Sequence, residues 1–147
     1  MEIMKQILKA RTRVDFAAFT FAQSSGINDA LVAVHDRSVK VLGVLDHQQA
    51  NQKWAAKSTL QNAGITVTVA GGRAGLGKVH HKLMTIDDQV AIFGSFNYTK
   101  PANKSNDENI IVVGDVSESD AAARGLQEQV ALAARKEITR IADDFGS

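Results

Sequence analysis

The sequence predicts an α/β fold, a mixed β-sheet flanked by helices on both faces, in a single domain spanning residues 1–147. Three observations carry that reading. Strand-like apolar runs alternate with segments of helical spacing, and two of those runs lie close enough together to form a hairpin. A chain of 147 residues, 44% hydrophobic and 22% charged, also has enough apolar surface for one core. The elements follow in order. Ile3, Met4, Ile7 and Leu8 make one stripe of an opening helix. VDFAAFTF (14–21) is a strand, a helix runs through Ile27, Leu31 and Val34, and VKVLGVLD (39–46) is a second strand, giving β-α-β punctuation. Residues 48–62 read as a polar helix around Trp54 and Leu60 that Gly64 stops, and ITVTVA (65–70) is a third strand. Beyond the glycine-rich loop 71–77, HHKLMTID and QVAIFGS form a hairpin through a two-residue turn at Asp87-Asp88. ENIIVVG (108–114) is the last strand. From Ser117 onward Leu126, Val130, Ala134, Ile138 and Ile141 recur at helical spacing, which predicts a covering helix. No internal repeat and no linker interrupt the pattern.

Composition excludes several classes. One Pro and 11 Gly rule out a fibrous or low-complexity chain, and no apolar run approaches the ~18 residues of a membrane span. The lack of Cys removes disulfides, thiolate metal sites and cysteine nucleophiles together. Charges at Glu2, Lys5, Lys9, Arg11 and Arg13 break the apolar stretch that a signal peptide needs, so no export signal is expected and the compartment stays open. The overall balance of 17 Lys and Arg against 16 Asp and Glu does not argue for a polyanionic partner. Residues 37–82, however, hold seven basic side chains and one acid, Asp46. That excess suits either a phosphate-rich partner or a solvated face neutralised from elsewhere in the fold.

The loop after the third strand mimics a phosphate motif. Gly72 to Lys78 fits G-x-x-x-x-G-K, but Val79 has no hydroxyl for magnesium, and a strand follows where a phosphate-cradling loop needs a helix N-terminus. The spacing Gly72, Gly75, Gly77 also misses the dinucleotide pattern. The next residues differ in kind. His80 and Lys82, two apart in a strand, leave the same face and can converge on one small anion. Past the hairpin turn, Gly94 and Ser95 let backbone approach a ligand, and the Asn97 amide can donate to oxyanions. Glu108 opens the following strand and is a candidate to accept the Nδ1 proton of His80, fixing its tautomer. His81, on the other face, reads as a packing residue.

These positions spell H-x-K-x4-D-x6-G-S-x-N, filled by His80, Lys82, Asp87, Gly94, Ser95 and Asn97, which resembles the HKD motif of the phospholipase D superfamily. Six fixed positions coincide by chance about once in tens of millions of starts, so the motif is specific. Glu108-Asn109 is similar to the acidic position that follows the motif in the short bacterial endonucleases of that superfamily, and FAAFTF, a helix and VKVLGVLD resemble their first half. The resemblance implies an α-β-α sandwich and metal-independent phosphodiester cleavage in two steps through a phosphohistidine. His80 would be the nucleophile, Lys82 and Asn97 would hold the phosphoryl oxygens, and Ser95 would add a hydrogen bond. Glu108 and Asp87 complete the set that the motif marks as catalytic. Asp87 falls at odd spacing from Lys82, on the opposite strand face, which fits support of the fold better than contact with substrate.

One motif per chain leaves the reaction short of a proton donor for the leaving oxygen, so the resemblance implies a homodimer whose two copies of His80 face one phosphate. The partner expected at the site is nucleic acid, DNA or RNA. Two other classes stay open: a lipid phosphodiesterase or phosphatidyl transferase, and a nucleic-acid-binding module on the same scaffold. A metal nuclease would draw on His81, Asp87, Asp88 or Glu108, but these groups are scattered and Asp is favoured in turns for backbone reasons. No metal and no cofactor are expected. The family's short nucleases open with an additional strand carrying a Phe-Ser-Pro type turn, whereas this sequence begins in its first helix, so a sheet short of its first edge strand is expected.

Overall fold

The computed structural model describes residues 1–73, 75–100 and 108–147. Strand β1 (Arg13–Ala18) is central because both of its faces are apolar: Val14, Phe16 and Ala18 are buried on one side and Ala17 on the other. It pairs in parallel with β2 (Lys40–Asp46), which pairs in parallel with β3 (Thr66–Ala70). On its other side β4 (Lys82–Ile86) runs antiparallel, followed by antiparallel β5 (Val90–Gly94) and β6 (Ile110–Val113). The order β3-β2-β1-β4-β5-β6 is the mixed sheet the sequence predicts. Helical crossovers serve its parallel half, and the β4–β5 hairpin belongs to its antiparallel half.

Helices α1 (Glu2–Leu8) and α2 (Ile27–His35), the short α3 (His47–Ala50) and α4 (Lys57–Asn62) belong to the first half of the chain. Ile3 and Ile7 of α1, Leu31 and Val34 of α2 and Leu60 of α4 close over Phe16, Leu45, Met84 and Ile92. Gly43, paired with Phe16, has no side chain because one there would collide with the Phe16 ring. The opposite face is covered by α5 (Ala121–Phe145), whose Ile138 and Ile141 meet Ala17, Val44 and Val79. Asp120 caps α5 by accepting the Ala123 N–H at 2.8 Å, and the Arg135 guanidinium grips Asp88 at 2.6 Å, tying the helix to the β4–β5 turn. No helix among the described residues is long and apolar enough to cross a membrane.

Several boundaries differ from the sequence expectations. β1 ends at Ala18 and β4 starts at Lys82, so Phe21 and His80 lie outside the strands assigned to them. The helix expected over 48–62 is split into α3 and α4, because the Gln23 N–H bonds the Trp54 carbonyl at 3.0 Å and the Ala56 N–H bonds the Phe21 carbonyl at 2.9 Å. Those bonds take backbone groups that a continuous helix would use. The last helix begins at Ala121 rather than Ser117. In the hairpin, Asp87 and Asp88 both have positive φ and Gln89 N–H closes on the Ile86 carbonyl at 3.0 Å. Val90 then pairs with Ile86, so the connection holds one residue more than the two expected.

Candidate active site

β1 and β2 finish at the end of the sheet where β4 begins, so the chain entering β4 crosses the carboxyl ends of the parallel strands. The Phe19 N–H donates to the His81 carbonyl at 2.8 Å, one step beyond the Ala18–Lys82 pair of the ladder. After β5 the chain returns toward β1: Tyr98 N–H bonds the Thr20 carbonyl at 3.0 Å and Ala22 N–H bonds the Tyr98 carbonyl at 2.8 Å. Because β4 lies between β5 and β1, this return carries residues 95–98 over the start of β4. The motif's two halves, separate in sequence, thereby meet at one end of the sheet.

There Lys82 Nζ lies 3.4 Å from His80 Nε2 and donates to the His80 carbonyl at 3.0 Å. An ammonium can only donate, so Nε2 is the acceptor in this contact. The Phe19 ring packs against both groups, with its centroid 4.6 Å from that of His80 and 5.4 Å from Lys82 Nζ. Partial burial pushes the Lys82 pKa below its ordinary 10.5, and the Glu108 carboxylate pulls the other way. Glu108 accepts a hydrogen bond from the Ser95 hydroxyl, which in turn accepts the Asn109 N–H at 3.1 Å. His80 with Lys82 and Ser95 with Glu108 thus form two hydrogen-bonded pairs, and the Glu108 carboxylate acts on the Lys82 charge through space. Among the described residues the Asn97 Oδ1 is buried without a hydrogen-bond partner, two residues beyond Ser95 in the returning segment.

Asp87 lies just past the far end of β4, roughly 16 Å from Lys82 at the usual rise per residue. Its carboxylate accepts the backbone N–H groups of Arg11, Thr12 and Arg13 at 2.8, 2.8 and 3.0 Å, as the opposite-face reading expects of a fold-supporting residue. His81 pairs with Glu137 of α5 at 3.2 Å. Gly94 differs from its expected role: the space its missing side chain leaves is filled by the Asn109 carbonyl of the neighbouring chain segment rather than being open to a ligand. The basic excess also divides. Lys40 starts β2 and Arg37 bonds the Leu8 carbonyl at 3.0 Å, both at the end of the sheet away from His80. Arg73 and Lys78 are exposed on the loop that leads into His80.

Two residues of the site were not singled out from sequence. Phe19 carries no signal beyond its place in an apolar run, and Asp46 shows only as the lone acid of the basic stretch. Asp46 is 1% exposed at the end of β2 and accepts the Val79 N–H at 3.0 Å.

Residues 3–130 match the family model described as cardiolipin synthase, PLD-like domain. The chain belongs to the phospholipase D-like family. Among curated proteins, this phospholipase D-like chain is 37% identical over 113 residues to phospholipase D of Rickettsia prowazekii (strain Madrid E), a match covering 77% of the chain and 53% of the relative. The chain spans about half the length of the curated relatives it matches. Among solved structures, Nuc from Salmonella typhimurium, a phospholipase D family member, superposes with a TM-score of 0.82 at 22% identity, over 99% of this chain and 88% of that one. NucT from Helicobacter pylori gives 0.81 at 22% identity, with the same coverage. The phospholipase D-like fold is therefore shared almost end to end.

Proposed function

We propose that this phospholipase D-like domain cleaves phosphodiester bonds of nucleic acid, DNA or RNA, without a metal, at a site completed by a second copy of the chain. The observation that carries the reading is the Lys82 ammonium 3.4 Å from His80 Nε2. It turns His80 Nε2 and the ammonium toward one point, so that when a phosphoryl oxygen takes the Lys82 donor the Nε2 lone pair is released facing phosphorus. In the first step His80 Nε2 bonds to phosphorus as the bond to the leaving oxygen breaks, and that oxygen takes a proton from the imidazolium of the second copy's His80. In the second step water attacks phosphorus, the phosphorus–nitrogen bond breaks, and the water's proton returns to the now neutral imidazole. Lys82 and Asn97 hold the phosphoryl oxygens, while the Ser95 hydroxyl gives its one proton to Glu108 and so holds that carboxylate rather than a phosphoryl oxygen. One imidazole must be neutral for attack while the other is protonated for donation.

Nucleic acid is favoured over a bilayer by the loop beside the site. It presents Arg73 and Lys78 to solvent, while its one large apolar side chain, Leu76, packs inward on the α5 core beside Phe145. The lipid reading is supported by names alone, those of the Rickettsia relative and of the family model, which is described as cardiolipin synthase. The test is incubation with single-stranded DNA, duplex DNA, RNA and phosphatidylcholine vesicles in excess EDTA. Cleavage of a nucleic acid under chelation, weakening steeply as salt rises, is the expected result. Activity that disappears with EDTA and returns with magnesium or zinc overturns the mechanism. Hydrolysis of phosphatidylcholine alone transfers the site to lipid, and binding without cleavage leaves a nucleic-acid-binding module.

A further inference from the structure

We propose that Asp46 is the positioning residue of His80, an inference that rests on His80 being the nucleophile. Asp46 ends β2, is 1% exposed, and uses both carboxylate oxygens. Oδ1 accepts the N–H groups of Gln48 and Gln49 at 3.0 and 3.1 Å, which caps α3. Capping needs only that one oxygen. Oδ2 accepts the N–H of Val79 at 3.0 Å, 33 residues away and immediately before His80. β2 and β4 are not neighbours, since β1 lies between them, so Asp46 reaches past the end of β1 to hold the segment that carries the nucleophile.

His80 itself sits outside β4, where no ladder bond of the strand fixes it. Its neighbours are fixed instead. Val79 is held by Asp46 through its N–H and by the α5 core through its side chain, 1% exposed. His81 is held through its carbonyl by Phe19 and through its ring by Glu137. Two anchored peptides therefore bracket His80, and the Phe19 ring limits where its imidazole can swing. In-line attack at phosphorus requires such aim, and a misplacement of about 1 Å is worth on the order of a hundredfold in rate. A buried charge-assisted acceptor holds that peptide more firmly than a neutral one.

The test compares wild type with Asp46→Asn on bis-p-nitrophenyl phosphate, at a temperature where circular dichroism shows both folded. Asn keeps one acceptor oxygen and turns an NH2 donor toward an N–H. The expected result is a kcat 10- to 100-fold lower with KM within about twofold, because Lys82 and Asn97 still bind the phosphate. An amide-to-ester change at the Val79 nitrogen removes the same hydrogen bond while leaving Asp46 and the α3 cap intact, and should lower kcat in parallel even if Asp46→Asn folds poorly. The His80 ring resonances should broaden in both variants, a readout independent of turnover. Unchanged kcat and unchanged His80 resonances, with only the melting temperature lowered, make Asp46 a structural cap and overturn the inference. A wild-type protein that turns over no phosphodiester defeats the proposed function instead, while the His80 resonances still report whether Asp46 positions that ring.

Discussion

Lys82 shows how one side chain sets a pH limit. Burial pushes its pKa below 10.5, and the Glu108 carboxylate only partly opposes the shift. In the proposed function the charged form binds phosphoryl oxygens, so kcat/KM, which reports the free enzyme, should fall on the alkaline side below pH 10.5. The sign for folding is opposite: between the lowered folded pKa and 10.5 the unfolded chain binds the proton more tightly, so stability contributed by this group rises with pH. Alkaline loss of activity should therefore appear in a pH–rate profile with circular dichroism unchanged, and a melting temperature falling in step with activity would contradict it. Lys82→Ala should weaken transition-state binding by about 3 kcal/mol, roughly a hundredfold in kcat/KM, as removal of one oxyanion donor does. His80→Asn should abolish turnover yet leave substrate affinity largely intact, and a near wild-type rate would remove His80 from the nucleophile's role.

At the level of elements, the β4–β5 hairpin carries the proposed site at one end and support of the fold at the other. Lys82 opens β4 at the site, whereas Asp87 closes it by receiving three N–H groups at the entry to β1 and the Thr12 hydroxyl at 2.9 Å. Asp87→Ala should lower stability by about 1–3 kcal/mol through those unpaired donors, with kcat within about twofold when assayed well below the melting transition. A large kcat loss in a fully folded Asp87→Ala protein would place this third motif letter in the chemistry after all. The same scale explains the divided helix over 48–62. Its local pattern is helical, but Trp54 and Ala56 bond to the chain just beyond β1, and that pairing is invisible to periodicity.

For the whole molecule the decisive quantity is the number of His-Lys sets per site. Each chain supplies one, and the proposed chemistry uses two imidazoles on opposite sides of phosphorus. Mixing wild-type with His80→Asn subunits under exchange should therefore give activity falling as the square of the wild-type fraction, with light scattering showing the mass of a dimer. A linear fall, or a fully active monomer, would mean that a single chain completes its own site and that a donor such as His81 or Glu108 serves the leaving oxygen.

What the sequence determined by itself is local. Alternation and β-branched runs announced six strands, helical spacing announced α5, and the H-x-K and G-S-x-N spacings proposed His80, Lys82, Ser95 and Asn97 as candidates, because each pattern is complete within a few residues. What only the tertiary structure decided is which distant groups meet. Nothing in the spacing of Asp46 and Val79, 33 residues apart, records their hydrogen bond, and nothing near Asp87 records the three N–H groups more than 70 residues away that it serves. Phe19 became part of the site only when β4 paired antiparallel beside β1 rather than beside β3. The physical reason is that backbone hydrogen bonding and burial fix strand order collectively. A side chain's partner across the sheet is a property of that closure and not of its neighbours in the chain.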